Sequence, residues 1–211
     1  MRIHEGPYNP ELMAMLDDFI DWFYSIDRTR IKVNGKPDTD EFYTNLEHLE
    51  ESKKIPIHER GGEGYPKKVH GIDMLMALAP PDYMSRFRDI SNDLNQWFGS
   101  KYCAVQMYYP QNGFMDWHNN GNAPGYNILL SHSSNGGGFF RWQDPVTEEI
   151  HTVFDKPGWN LKTGYYGRHD EPDKSVWHCA RTYDSERITF GYVIPDINMW
   201  QMMIDDILSV E

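Results

Sequence analysis

Residues 102–120 read YCAVQMYYPQNGFMDWHNN, and the change of texture that begins there decides the fold. Two apolar runs, YCAVQMYY and FMDW, are separated by Pro, Gln, Asn and Gly, residues that interrupt strands. The same alternation continues to Ile194 through YNILLSH, GGFFRWQ, IHTVF, WNLKTGYY, SVWHCA and RITFGYVI. Short runs rich in Val, Ile, Tyr, Phe and Trp at this spacing predict an all-β barrel or sandwich.

Upstream the period is different. In NPELMAMLDDFIDWFYSI, residues 9–26, Asn9 can cap and Pro10 suits the first helical position, while Leu12, Met15, Leu16, Phe19, Trp22, Phe23 and Ile26 recur at helical spacing. A second helix follows APPD, from about Asp82 to Phe98, with Phe87, Ile90, Leu94 and Trp97 on one face and Gly99 as its stop. Between them, residues 27–70 are polar and read as loops around a short helix near Phe42 to Glu51. NMWQMMIDDILSV at the end reads as a terminal helix.

A chain of 211 residues is expected to form one domain. Its parts are a helical and loop segment at 1–101, a β core at 102–194 and a C-terminal helix at 195–211. The fold class expected is α+β, mainly β, with the N-terminal helices packed on one sheet. No Rossmann glycine fingerprint or phosphate-cradling loop occurs, which disfavours a nucleotide-binding α/β fold.

A formal net charge of −12 disfavours duplex nucleic acid as a partner. The cysteines, Cys103 and Cys179, lack Cys-x-x-Cys spacing and read as buried free thiols. With no apolar run near about 18 residues and no signal-peptide pattern, a cytoplasmic protein without a membrane segment is expected.

Of nine histidines, two stand where chemistry would use them: His118, and His178 in SVWHCA. Non-haem iron is commonly held by two histidines and a carboxylate on one face, with positions left open. Arg187 and Thr189 are two apart in a strand and share a face. A guanidinium fork beside a hydroxyl suits a carboxylate ligand, because bidentate charge-assisted bonds fix both affinity and geometry.

In the order MYYPQNGFMDWHNN, NGGGFFRWQD, FDKPGWNLKT, VWHCA and RIT, the region 102–194 resembles the Fe(II)/2-oxoglutarate-dependent oxygenase superfamily. The chain's overall texture is also similar to small oxygenase-like proteins encoded by tailed bacteriophages. The resemblance implies a double-stranded β-helix core of jelly-roll or cupin-like type, with Fe(II), 2-oxoglutarate and O2 as cofactor and co-substrates. It makes His118 and His178 the imidazole ligands, Arg187 the partner of the distal 2-oxoglutarate carboxylate, and Thr189 its hydroxyl neighbour. Tyr108 or Tyr109 becomes a further donor to the co-substrate, with Tyr108 preferred, since strand alternation turns only one of the two inward.

The family pattern places a carboxylate two residues after the first histidine, where this chain has Asn120. Three readings follow. Asn120 ligates through its amide oxygen; or Asp116 supplies the carboxylate, provided the strand stays regular through Trp117; or the site holds two imidazoles only. Halogenating members carry Gly or Ala at this position, and asparagine fills much of that space. Position favours Asn120.

The activity implied is hydroxylation of an unactivated carbon in a small molecule or a peptide or protein side chain, with a nucleobase also a candidate. Halogenation is a lesser alternative. The competing class is a non-catalytic cupin-like barrel that binds a carboxylate or sugar. The loops RTRIKVNGKPD and ERGGEGYPKKVHG are read as a lid, Asn127 and Arg141 as cavity candidates, and Trp117, Trp142, Trp159 and Trp177 as pocket or core residues. His132, His151 and His169 read as surface residues.

Overall fold

A computed structural model of the chain describes residues 1–56, 64–100, 103–121 and 123–210. The expected boundary at 101/102 and part of the ERGGEGYP lid loop lie outside the described residues. In chain order the elements are β1 (Arg2–His4), α1 (Pro10–Ser25), α2 (Leu46–Lys54), β2 (Val69–His70), β3 (Ile72–Asp73), α3 (Pro81–Phe98) and β4 (Val105–Tyr109). They continue with β5 (Phe114–His118), β6 (Gly125–Ser133), β7 (Gly138–Gln143), β8 (Ile150–Phe154), β9 (Gly158–Tyr166), β10 (His178–Thr182), β11 (Arg187–Ile194) and α4 (Ile197–Leu208).

Both long N-terminal helices start and stop where their residues dictate. Asn9 Oδ1 accepts from the Glu11 and Leu12 amides at 2.9 and 3.3 Å, and Pro10 opens α1. Gly99 ends α3 in the left-handed region at φ 61°. The 27–70 segment is less irregular than its composition predicts. Besides α2 it leads into two-residue strands, β2 and β3, which are too short to leave a periodic signal.

All strands pair antiparallel, in a six-stranded sheet ordered β1-β9-β6-β11-β4-β3 and a five-stranded sheet ordered β2-β5-β10-β7-β8. This is a mainly β sandwich of the jelly-roll type, with four α-helices among the described residues. The chain changes sheets between β2 and β3 at Gly71, where a Cβ would meet the Tyr108 carbonyl oxygen at 2.8 Å. Only glycine allows the backbone that close.

Period-2 alternation sorts the six-stranded sheet into two faces. Ile188, Phe190, Tyr192 and Ile194 of β11, with Ile128 and Leu130 of β6, pack outward against α1, α3 and α4. Leu12, Leu16, Phe19, Ile20 and Phe23 of α1 are buried there. At about 1.5–3 kcal/mol for each fully buried large apolar side chain, this layer holds the helices on the sheet. The alternate residues, Arg187 and Thr189 among them, face inward between the sheets.

The outer face of the five-stranded sheet carries a smaller cluster of Trp117, Phe139 and Cys179 under Leu49 of α2. Leu129, Phe140, Trp142, Tyr166, Val176 and Ala180 fill the space between the sheets. Both cysteines are free thiols. No described helix is long and apolar enough to cross a membrane.

Candidate metal and carboxylate site

Between the sheets lies a cavity of about 590 Å³ whose lining includes His118, Asn120, His178, Tyr166, Tyr109, Arg187, Thr189, Ser131 and Asn127. Strand register brings the two histidines together: His178 of β10 pairs directly with His118 of β5, and the ring centroids are 4.1 Å apart. Each Nδ1 meets a backbone carbonyl, His118 that of Asp116 at 2.7 Å and His178 that of Val176 at 2.9 Å. A carbonyl oxygen only accepts, so both Nδ1 atoms carry the proton and both Nε2 atoms present a lone pair. That is the arrangement that orients an imidazole for a metal.

Burial holds both rings neutral. It lowers the His118 pKa from its ordinary value, against the Asp116 carbonyl, which raises it. It lowers that of His178 further, with His118 as the next cause.

The strand does not stay regular through Trp117. His178 pairs with His118 but Ala180 pairs with Met115, so Asp116 and Trp117 together oppose the single residue Cys179. This β-bulge turns two successive side chains toward α2. Trp117 Nε1 donates to the Asn45 carbonyl at 2.8 Å. The Asp116 carboxylate accepts from the Lys67 and Lys68 amides at 3.1 and 3.0 Å and lies 3.6 Å from His48 Nε2. Asp116 is therefore outside the cavity and is not gathered with the two imidazoles. Asn120 is: its Nδ2 lies 3.4 Å from His178 Nε2. Its φ of 53° is a left-handed conformation that asparagine and aspartate both tolerate.

Among the described residues no group of three or more His, Cys, Asp and Glu side chains could hold a metal ion. The residues present thus fit a metal held by two imidazoles with a neutral third donor from Asn120, and do not fit a two-histidine, one-carboxylate set.

Tyr109, rather than the preferred Tyr108, faces inward. Tyr109 pairs with Arg187 across β4 and β11 and donates to Met115 Sδ at 3.8 Å. Burial raises its pKa to about 12. Tyr108 points the other way, onto Phe23 of α1, and donates to Glu186 at 2.9 Å. The pair YY is apolar on both sides, and only the register against β11 separates them.

Arg187 is buried, and its ion-pair partner is Asp155. Its guanidinium also donates to the Phe139 carbonyl at 3.0 Å and to Ser131 Oγ at 3.3 Å, while its Nε has no hydrogen-bond partner among the described residues. Thr189 Oγ1 lies 3.3 Å from Ser131 Oγ. Lys162 of β9, also buried, is 3.4 Å from Asp155 Oδ1. Desolvation first, and Arg187 second, lower its pKa to about 8. Two cations thus share one carboxylate in a low-dielectric space, and a ligand carboxylate would complete the balance.

Asp155 and Lys162 carried no usable sequence signal. Asp155 sits in the turn FDKPGW and reads as a loop residue, and a lysine in a strand reads as solvent-facing. Tyr166 is one aromatic among many in the strand-rich half and carries no sequence signal of its own. Its ring stacks on His178 at 4.7 Å and 1°, and its buried hydroxyl has no hydrogen-bond partner among the described residues. Of the other candidates, Asn127 lines the cavity. Arg141 lies outside, bonded to Thr152 and the Thr44 carbonyl. Trp117, Trp142, Trp159 and Trp177 are not among the lining residues. His132, His151 and His169 are partly exposed and are not among the lining residues of the cavity.

No family model and no curated protein matches the chain. Among solved structures, a prolyl-4-hydroxylase from Pseudomonas putida aligns at 16% identity over 87% of this chain and 99% of that one, with a TM-score of 0.32. A likeness of that size carries no weight for fold or function.

Proposed function

We propose that the chain is an Fe(II)- and 2-oxoglutarate-dependent oxygenase built on a double-stranded β-helix, hydroxylating an unactivated carbon of a small molecule or a peptide side chain. The observation that carries the reading is the pair of imidazoles with both Nδ1 atoms committed to backbone carbonyls, facing the cavity that also holds Arg187. His118, His178 and Asn120 would hold the metal. Fe(II) with 2-oxoglutarate supplies oxidation of a C–H bond by O2, one oxygen atom entering the substrate and the other succinate.

The remaining work belongs to the protein's own groups. Arg187 binds the distal carboxylate of the co-substrate, and Ser131, Thr189 and Tyr109 surround it with hydroxyl donors. Phe140, Met107 and Leu129 exclude water from the reacting centre.

The test is anaerobic addition of Fe(II) and 2-oxoglutarate. A weak visible band near the green that needs both additions, and that His178→Ala abolishes, followed by succinate on admitting oxygen, is the expected result. No band in the wild type overturns the reading. The second reading, a cupin-like barrel binding a carboxylate without redox chemistry, is favoured by the placement of Asp116 outside the cavity. It predicts carboxylate binding with no iron requirement. Halogenation is a lesser alternative, because Asn120 fills the place a halide would need.

A further inference from the structure

The large sheet carries an inward-facing row that crosses four strands: Ser131 of β6, Thr189 of β11, Met107 of β4 and Asp73 of β3, each paired with the next. All four line the cavity. At about 4.8 Å per strand, Asp73 stands two strands, or roughly 10 Å, from Thr189. Arg187 and Asp73 are the two formally charged side chains among the described lining residues, apart from the histidines. Arg187 has Asp155 behind it. Among the described residues Asp73 has no such partner.

One oxygen of Asp73 accepts from the Leu75 amide at 2.9 Å. Burial is the largest influence on its pKa and raises it, and the Leu75 amide lowers it. Met107 pairs with it across the strands, Cys103 is near enough to feel its charge, and Ala104 and Val105 continue the lining along the same segment. A half-buried carboxylate against an apolar wall is costly unless a cation joins it. A second, independent sign that the cavity takes a polar ligand is the buried, unpartnered hydroxyl of Tyr166.

Resting on the oxygenase reading of the same cavity, we propose that Asp73 receives an aliphatic ammonium group, so that the substrate is a primary amine whose methylene chain lies along Ala104, Val105 and Met107. A hard metal cation is a poorer occupant, because it needs six or more oxygen ligands and the wall offers one carboxylate. Methylenes leading to an ammonium match an apolar wall that ends in a carboxylate. The acidic chain, at −12, attracts such a cation to the mouth.

The bland alternative is that Asp73 only caps the turn at Met74–Met76. Asp73→Asn separates the two, since asparagine caps equally well and carries no charge. The probes are butylammonium and N-acetyl-lysine-N-methylamide, each against a neutral isostere, butan-1-ol and N-acetyl-norleucine-N-methylamide, titrated into the full chain at pH 7.

The expected result is that the ammonium probes bind at least about tenfold more tightly than the isosteres, and that Asp73→Asn erases the difference while leaving the melting temperature unchanged. Preference for butylammonium alone points to a free amine, and preference for the lysine derivative alone to a peptide side chain; each supports the proposal. Equal affinity for charged and neutral probes, no binding of either, or a preference that survives in Asp73→Asn overturns it. The iron and 2-oxoglutarate band is read separately. A band without amine preference overturns this inference alone, and amine preference without a band overturns the oxygenase reading alone.

Discussion

Arg187 Nη1 lies 3.2 Å from Asp155 Oδ2, and the other oxygen of that carboxylate is 3.4 Å from Lys162 Nζ. One buried anion therefore serves two buried cations. Removing it is expected to cost more than removing either partner. Asp155→Asn should destabilise the fold by about 3–5 kcal/mol, the usual cost of leaving buried charge unpaired, and Lys162→Met in that background should restore part of it. Arg187→Met should cost less, because Lys162 keeps its partner. Urea denaturation of the three variants gives the ranking, and an Asp155→Asn variant as stable as wild type would refute the shared-anion account.

Lys162 makes a signed pH prediction. Its folded pKa is about 8 against an ordinary 10.5, so between those values the unfolded chain holds more protons and stability rises with pH. Relative to Lys162→Met, wild type should gain up to roughly 1.4 kcal/mol per pH unit from about pH 8 to 10.5, and lose that gain as pH falls through 8. A carboxylate bound at Arg187 would favour the charged lysine, so its affinity should decline above about pH 8. Chemical denaturation at several pH values, with the Lys162→Met curve subtracted, measures the first effect. A flat difference removes it.

The bulge in β5 assigns Asp116 to structure. Asp116→Ala should leave Fe(II) affinity unchanged and cost about 1–3 kcal/mol, by releasing the amides of Lys67 and Lys68. Asn120→Asp should raise Fe(II) affinity at least about tenfold, since an anionic oxygen replaces a neutral one at a position whose backbone suits aspartate. Anaerobic metal titration decides both.

Tyr109 and Tyr108 should behave oppositely. Tyr109→Phe should weaken 2-oxoglutarate binding by about tenfold, the worth of one hydrogen bond to a charged group. Tyr108→Phe should leave binding unchanged and lose only its bond to Glu186. Equal effects on calorimetric affinity would contradict the inward position of Tyr109.

For Tyr166 the free protein should not suffer from losing the hydroxyl. Because that group is buried without a partner among the described residues, Tyr166→Phe should be neutral or stabilising by about 1 kcal/mol, while weakening any ligand that hydrogen-bonds it. A loss of stability in thermal unfolding would mean the hydroxyl is already satisfied.

By itself the sequence determined the class of elements and singled out two histidines that stand side by side. Helical spacing at Leu12, Leu16, Phe19 and Phe23 and the cap at Asn9 are local, and α1 formed where they place it. The order of His118, His178, Arg187 and Thr189 along the strand-rich half singled out residues that do share one cavity. Tertiary structure decided what each faces. Side-chain direction in a strand reverses with every residue, so a bulge at Asp116 and Trp117 or the register of Tyr109 against Arg187 changes the inventory of a site without changing a letter of the motif. Arg187 meets Asp155 and Lys162, and Asp73 joins the row of Thr189 and Met107, through antiparallel pairing between strands distant in the chain. Long-range register, not local pattern, sets which charges meet between the sheets.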